Sequence, residues 1–316
     1  MKVAHLAIIT PGQCGLYETA RELAYYLRNE GIDSRLVDPK TIQEGSDRGV
    51  PFADAEWASN ADILVNHSGL GEALEKTNQP IIHIAHGRPR HSFNTEKGGG
   101  TPVYSYHYRK NFDARFKAVV TFWREHGEYL KFMFPNKPVH YVQECVDLER
   151  WSPGLTEYNF EGKQGLINGV ISDSWRDDID PFVPINAFGL WARHAKGAKL
   201  HLYARIAELR GWSALIKRLE DDKSMGLLKA RVKNLQDVYR KAHFVVTGNE
   251  INVRTVREAM ACGCPVVRFP LANISNYKSV FAKALEVDRT EVRKEAERRF
   301  NPKVTAQQFK TILEAV

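Results

Sequence analysis

Residues 247–267 carry the side chains best suited to binding a phosphate ester. We predict that a strand ends near Thr247 and that a helix begins after Asn252, whose side chain would cap the helix N-terminus. The backbone N–H groups of a first helical turn point outward and bind phosphate. Arg254 and Thr255 would add a positive charge and a hydroxyl group to that turn.

Two glutamates flank this predicted phosphate site. Glu250 stands at the end of the predicted strand, and Glu258 lies one turn inside the predicted helix. A carboxylate at the second position can accept hydrogen bonds from both hydroxyls of a ribose, as the acidic residue of dinucleotide-binding folds does. Gly263 is suited to ending the helix, because glycine readily adopts the left-handed conformation found there. The segment therefore predicts a nucleotide site.

Short β-branched runs alternate with helical patterns along the chain, which indicates a parallel α/β architecture. The first series has strands at 3–10, 34–37, 61–65, 81–85, 118–122 and 139–142, and helices at 17–30 and 71–76. The second series has strands at 166–168, 199–203, 243–247 and 265–269, and helices at 181–195, 207–220 and 254–262. We predict two doubly wound domains, 1–150 and 151–316, with the last helix packing back on the first domain. Ligands are expected at the carboxyl ends of the strands, in the cleft between the domains.

The composition is typical of a globular protein with two cores. The 316 residues exceed the ~250–300 at which a single core stops growing. Hydrophobic residues make up 43% and charged residues 26%, and the mean hydropathy is −0.41. No apolar run approaches the ~18 residues that span a bilayer, so we expect a cytoplasmic protein. The four cysteines lack the spacing of a zinc site and are expected to be buried.

The chain also resembles a known family. Glu250 and Glu258 are separated by seven residues and followed by Ala-Met-Ala-Cys-Gly-Cys-Pro-Val-Val. This pattern is similar to the double-glutamate motif of retaining glycosyltransferases of the GT-B fold, of the family 4-like type. Residues 142–153 resemble that family's interdomain junction, and the first strand followed by Gly12, Gly15 and Glu18 resembles its N-terminal loop.

The resemblance implies an enzyme with two facing Rossmann-like domains. It implies that this enzyme transfers a sugar from a nucleotide-sugar donor with retention of configuration, and we expect the donor to be a UDP-sugar. It implies that Glu258 binds the ribose, that Glu250 lies near the transferred sugar and that Gly15 contributes to donor binding. His86 corresponds to a histidine beside the reacting sugar. His83 and His67 compete with it for that place.

The phosphate ligands depart from the family pattern. The usual Arg and Lys pair after the first strand of the second domain is not clearly present, and Arg176 is the only cation in residues 168–178. We therefore take Arg176 as a diphosphate ligand and Arg254 as a substitute for the missing lysine. Because a helix N-terminus and guanidinium groups can stabilise the departing nucleoside diphosphate, we expect no obligatory metal.

Most of the net charge of +7 lies between Arg88 and Lys137, which contains ten basic and four acidic residues. This stretch directly follows His86 and indicates a polyanionic acceptor. Aromatic side chains interleaved with cations at 104–112 could stack a base. The candidate acceptor-binding residues are Arg88, Arg90, Lys97, Arg109 and Lys110.

Several acceptors fit this pattern. The basic first domain and the sequence His-Gly-Arg-Pro at 86–89 resemble phage enzymes that glycosylate hydroxymethylated pyrimidines in double-stranded DNA. A cell-surface saccharide or an anionic lipid at a membrane surface is an alternative acceptor. A nucleotide-sugar epimerase or a nucleotide-binding protein on the same fold is a second alternative.

Overall fold

The computed structural model describes residues 1–11, 15–38, 44–67, 77–86, 113–154, 160, 165–172, 182–203, 213–229, 234–249, 251–269 and 275–316. The chain divides into two compact units. The first comprises Met1–Cys145 together with Phe300–Val316, and the second comprises Val146–Arg299.

The first unit is built on an eight-stranded sheet in the order β3-β4-β2-β1-β5-β6-β7-β8. All described pairs are parallel except β3 with β4. The strands are β1 (Lys2–Leu6), β2 (Asp33–Val37), β3 (Ser46–Asp47), β4 (Val50–Ala53), β5 (Ile63–Asn66), β6 (Ile81–Ile84), β7 (Phe116–Thr121) and β8 (Val139–Tyr141). The helices are α1 (Gly15–Asn29), α2 (Ala55–Ser59) and α3 (Gly127–Met133), the last preceded by a 3₁₀ turn at Arg124–His126.

The second unit has a five-stranded parallel sheet in the order β11-β10-β9-β12-β13. Its strands are β9 (Ile167–Ile171), β10 (Ala198–Tyr203), β11 (Met225–Lys229), β12 (Phe244–Thr247) and β13 (Val266–Arg268). Its helices are α4 (Phe182–Ala192), α5 (Ser213–Asp221), α6 (Leu235–Lys241), α7 (Arg254–Ala261), α8 (Tyr277–Glu286) and α9 (Arg289–Arg299).

The chain ends in α10 (Pro302–Glu314), which belongs to the first unit. Its apolar side chains Ala306 and Phe309 share one hydrophobic cluster with Leu23 and Leu27 of α1. Asn301 caps the helix by accepting a hydrogen bond from the Lys303 amide at 3.0 Å.

The predicted parallel α/β class is confirmed by these two sheets. β5 and β6 are buried along their whole length, as expected of strands covered on both faces. The first strand is shorter than the predicted 3–10 and ends at Leu6. The apolar run continues to Ile9, but the Ile9 amide donates to the Asp38 carboxylate at 3.0 Å instead of to a neighbouring strand. The predicted helix at 71–76 lies outside the described residues.

Candidate functional site

The loop between β12 and α7 contains most of the predicted nucleotide ligands. Asn249, at the start of this loop, is buried, and its amide and side-chain nitrogens lie 3.0 and 3.2 Å from the Thr247 hydroxyl oxygen. These contacts turn the chain directly at the carboxyl end of β12. Ligands bind at this end of the strands in parallel α/β sheets.

Arg268 holds the rest of this loop. It is the last residue of β13 and is paired with Thr247 in the sheet, so its side chain reaches the segment that follows β12. Its guanidinium donates to the carbonyl oxygens of Asn249 and Ile251 at 3.2 and 2.9 Å, and to the side-chain oxygen of Asn252. Arg268 was not predicted as a site residue, although an arginine near the end of the predicted strand at 265–269 was a usable signal.

The prediction that Asn252 caps the helix is wrong. The N-cap residue of α7 is Val253, whose side chain makes no capping hydrogen bond. Asn252 lies one residue too early, and its side-chain oxygen accepts from Arg268 instead. Asn252 therefore stabilises the loop before the helix and not the first helical turn.

Arg254 and Glu258 form an ion pair on one face of α7. The Arg254 Nε and Glu258 Oε1 atoms are 2.7 Å apart, and the two side chains are only 12% and 7% exposed. Residues four apart are neighbours on a helix surface, so the pair follows directly from their spacing. An arginine in the first turn lies at the positive end of the helix dipole, and the Glu258 carboxylate compensates that charge.

The start of α7 therefore combines three kinds of group that a nucleotide requires. The amides of the first turn, which includes Thr255, point out of the N-terminus as in any helix. The Arg254 guanidinium can contact a phosphate, and the Glu258 carboxylate can accept from hydroxyl groups. Their ion pair holds both side chains in this position.

Gly263 ends α7 as predicted. It has a positive φ of +73°, and its amide donates to the Met260 carbonyl at 2.9 Å. A Cβ atom at this position would lie 2.9 Å from the Arg289 carbonyl oxygen. Both the backbone conformation and the close approach of α9 therefore require glycine here.

In the first unit, three histidines form a continuous hydrogen-bonded chain. The His5 Nδ1 and His67 Nε2 atoms are 3.1 Å apart, and the His67 Nδ1 and His86 Nε2 atoms are 2.9 Å apart. His5 lies on β1, whereas His67 and His86 directly follow β5 and β6. The chain thus runs across three adjacent strands, from the core to the partly exposed ring of His86.

Burial controls the protonation of the two inner histidines. His5 is 0% exposed and desolvation lowers its pKa to about 3. The pKa of His67, 5% exposed, is also lowered well below the usual value, first by desolvation and then by the charges of His86 and His5. Both imidazoles are therefore neutral at neutral pH.

His83 lies apart from this chain. It is a residue of β6, is 5% exposed and packs against the rings of Phe116 and Phe134. Of the three histidines considered from the sequence, His67 and His86 are thus joined to each other, and His83 is part of the packing of the sheet.

Gly15 begins α1, and its carbonyl oxygen accepts from the Thr19 hydroxyl at 2.8 Å. The remaining predicted site residues lie outside the described residues. These are Glu250, Arg176, Arg88, Arg90, Lys97, Arg109 and Lys110.

Within the described ranges, no three His, Cys, Asp or Glu side chains are grouped so as to hold a metal ion. The described cysteines are buried thiols, and desolvation raises the pKa of Cys262 and Cys264 to about 12. In the same part of the chain, none of the helices has both the length and the apolar character needed to cross a membrane.

No family model and no curated protein matches the sequence. Solved structures do match over nearly the whole chain. A glycosyltransferase from Rickettsia africae ESF-5 has 13% identity and a TM-score of 0.70, covering 99% of this chain and 98% of its own. Anabaena HepE in complex with UDP and glucose has 12% identity and a TM-score of 0.73, with 100% of both chains covered.

A third structure is an α-glucosyltransferase in complex with UDP and a 13-mer DNA that contains an HMU base. It has 12% identity and a TM-score of 0.71, with 99% of both chains covered. These likenesses show the fold. The protein has the GT-B fold, with two Rossmann-like units, as the resemblance in the sequence implied.

Proposed function

We propose that the protein is a retaining glycosyltransferase that takes a sugar from a nucleoside diphosphate sugar, with UDP as the nucleotide. The observation that carries this proposal is the Arg254–Glu258 pair at the start of α7, in a chain with the GT-B fold. Two of the three solved structures described above are complexes with UDP.

In this proposal each group at the second unit has one task. Glu258 accepts from the ribose hydroxyls, and Arg254 with the first-turn amides contacts the diphosphate. Arg176 supplies a second positive charge, and Glu250 lies by the transferred sugar. As the bond between sugar and phosphate breaks, negative charge develops on the leaving diphosphate. Donors already aimed at that charge lower the barrier without a metal ion.

In the first unit, His86 is proposed to contact the sugar, with Gly15 close to the donor. The acceptor is proposed to be a hydroxymethylated pyrimidine in DNA, held by Arg88, Arg90, Lys97, Arg109 and Lys110. The basic stretch in the sequence supports a polyanion, and one structure of the same fold contains DNA with an HMU base. Reaching a base in a duplex requires its extrusion from the stack.

The donor is tested by incubating the protein with UDP-, GDP- and TDP-sugars and measuring nucleotide release. We expect release from the UDP-sugar, increased by an acceptor. Binding of all three nucleotides without release would identify a nucleotide-binding protein instead. Interconversion of the sugar without transfer would identify an epimerase.

The acceptor is tested with duplex DNA that carries hydroxymethylated pyrimidines. We expect this DNA to increase nucleotide release at low salt and to lose its effect as salt rises, because phosphate contacts displace counterions. Unmodified DNA lacks the accepting hydroxyl and should not increase release. Stimulation by an anionic lipid or a saccharide alone would overturn the DNA assignment.

A paired substitution locates the DNA contacts. Arg88→Ala with Arg90→Ala should weaken the response to DNA about tenfold or more at low salt and leave UDP affinity unchanged. Lys294→Ala with Arg298→Ala removes the same charge from exposed positions of α9 and serves as the control. A loss of UDP affinity in the first variant would assign these arginines to the donor.

A further inference from the structure

The three histidines impose a rule on one another's protons. A neutral imidazole has one N–H and one unprotonated nitrogen, and each hydrogen bond in the chain needs one of each. With His5 Nδ1 facing His67 Nε2, and His67 Nδ1 facing His86 Nε2, only two neutral arrangements are consistent. Either all three rings carry hydrogen on Nδ1, or all three carry it on Nε2.

The inner end of the chain decides between these arrangements. His5 Nε2 is buried and has no hydrogen-bond partner among the described residues. In the Nε2–H arrangement, this atom would be a buried N–H donor without an acceptor, and such donors are rare in proteins. In the Nδ1–H arrangement, the same atom carries only a lone pair. The Nδ1–H arrangement is therefore the more stable one.

We propose that His67 is a positioning residue that holds His86 as the neutral Nδ1–H tautomer. In this state His67 Nδ1–H donates to His86 Nε2, and the remaining nitrogen of His86, Nδ1, is a hydrogen-bond donor. This inference rests on the proposed function, in which His86 contacts the sugar. It makes the second nitrogen of His86 a hydrogen-bond donor, and not a general base.

The hydrogen-bonded row of three histidines is also unsuited to carrying a proton from His86 towards His5. Among the described residues, His86 contacts the imidazole of His67, which in turn contacts His5. The uncharged ring of Phe122, just after β7, lies with its centroid 6.1 Å from that of the His86 ring. A proton passed inward from His86 would place a positive charge on His67, which is only 5% exposed, or on His5, which is 0% exposed. The chain therefore orients hydrogen bonds and does not act as a proton wire.

The test is a long-range ¹H–¹⁵N correlation spectrum of the ¹⁵N-histidine-labelled full chain at pH 8, without substrate. We expect His5, His67 and His86 all to show protonated Nδ1 and unprotonated Nε2. Exposed His194 should show the Nε2–H form that dominates in water. An Nε2–H signal from His86, or different tautomers along the chain, would overturn the proposal.

Substitution of His67 tests its role directly. His67→Phe removes the donor to His86 and should return His86 to mainly Nε2–H, whereas His67→Gln keeps an amide donor and should retain the Nδ1–H form. His83→Phe changes a residue of β6, the strand that precedes His86, but outside the hydrogen-bonded histidines, and it should leave the tautomer of His86 unchanged. If His67→Phe does not fold, the spectra of the wild type and of His67→Gln still decide the question.

The spectra are independent of the proposed reaction, so the two can fail separately. A protein that transfers sugar but shows Nε2–H at His86 overturns only this inference. If the Nδ1–H form is found and transfer occurs, His67→Phe should lower kcat about tenfold with little change in the donor KM. His67→Gln should restore most of kcat, and an equal kcat in both variants would overturn the positioning role.

Discussion

Glu258→Gln is expected to weaken UDP binding by about 10- to 100-fold. The glutamine loses the charge that accepts from the ribose hydroxyls, and hydrogen bonds to a charged group contribute about 1.5–3 kcal/mol. It also leaves the Arg254 guanidinium, only 12% exposed at the positive end of α7, without its compensating carboxylate. Calorimetric titration with UDP measures the change.

A change in the UDP ligand separates the loss of the ribose contact from the effect on Arg254. UDP that lacks both ribose hydroxyls should show a smaller difference between the wild type and Glu258→Gln than UDP does, because only the effect through Arg254 then remains. Glu220→Gln, at an exposed position of α5, is the matched control and should bind UDP normally. The affinity for UDP is compared with that for the dideoxy ligand in each protein. If removal of the hydroxyls weakens binding by the same factor in the wild type and in Glu258→Gln, Glu258 does not bind the ribose.

Arg268→Met is expected to lower kcat by about 10- to 100-fold while changing UDP affinity much less. Arg268 donates to three oxygens of the loop at 249–252, and hydrogen bonds from a charged group contribute about 1.5–3 kcal/mol each. Without them the loop that carries Glu250 is no longer preorganised beside the sugar. The nucleotide contacts proposed for α7 remain, since this helix has its own ion pair.

Steady-state kinetics and hydrogen exchange of the 249–253 amides together measure this effect. Arg268→Lys should resemble Arg268→Met, because an ammonium group cannot reproduce the planar fork of a guanidinium. Arg298→Met removes a cation from a side chain of α9 that is 72% exposed and should change neither measurement. Faster exchange with an unchanged kcat would show that Arg268 serves stability alone.

These two residues differ in how far the sequence predicted them. Arg254 and Glu258 are four residues apart on a predicted helix, so their contact follows from local helical geometry. Arg268 contacts residues 16 to 19 positions earlier in the chain, and this contact depends on the register of β12 with β13. The repeat of apolar residues predicts each strand, but it does not predict how the two strands are aligned with each other.

The histidine chain is a further case in which local information was insufficient. His5 and His67 are 62 residues apart, and His67 and His86 are 19 apart. In the sequence, each of these histidines lies in or shortly after a predicted strand, and no motif or spacing connects the three. They meet because β1, β5 and β6 are neighbours in the sheet, an order that results from the packing of the whole unit.

The sequence by itself determined the parallel α/β class, most strands of both sheets, the extent of α7 and its end at Gly263. All of these follow from the repeat of apolar residues and from glycine's backbone freedom, which act over a few residues. The tertiary structure alone decided that Arg268 holds the loop before α7, that Asn252 belongs to that loop and that three histidines are hydrogen-bonded to one another. Parallel strands that are neighbours in a sheet are separated by long crossovers in the chain, so contacts between their ends depend on the completed fold.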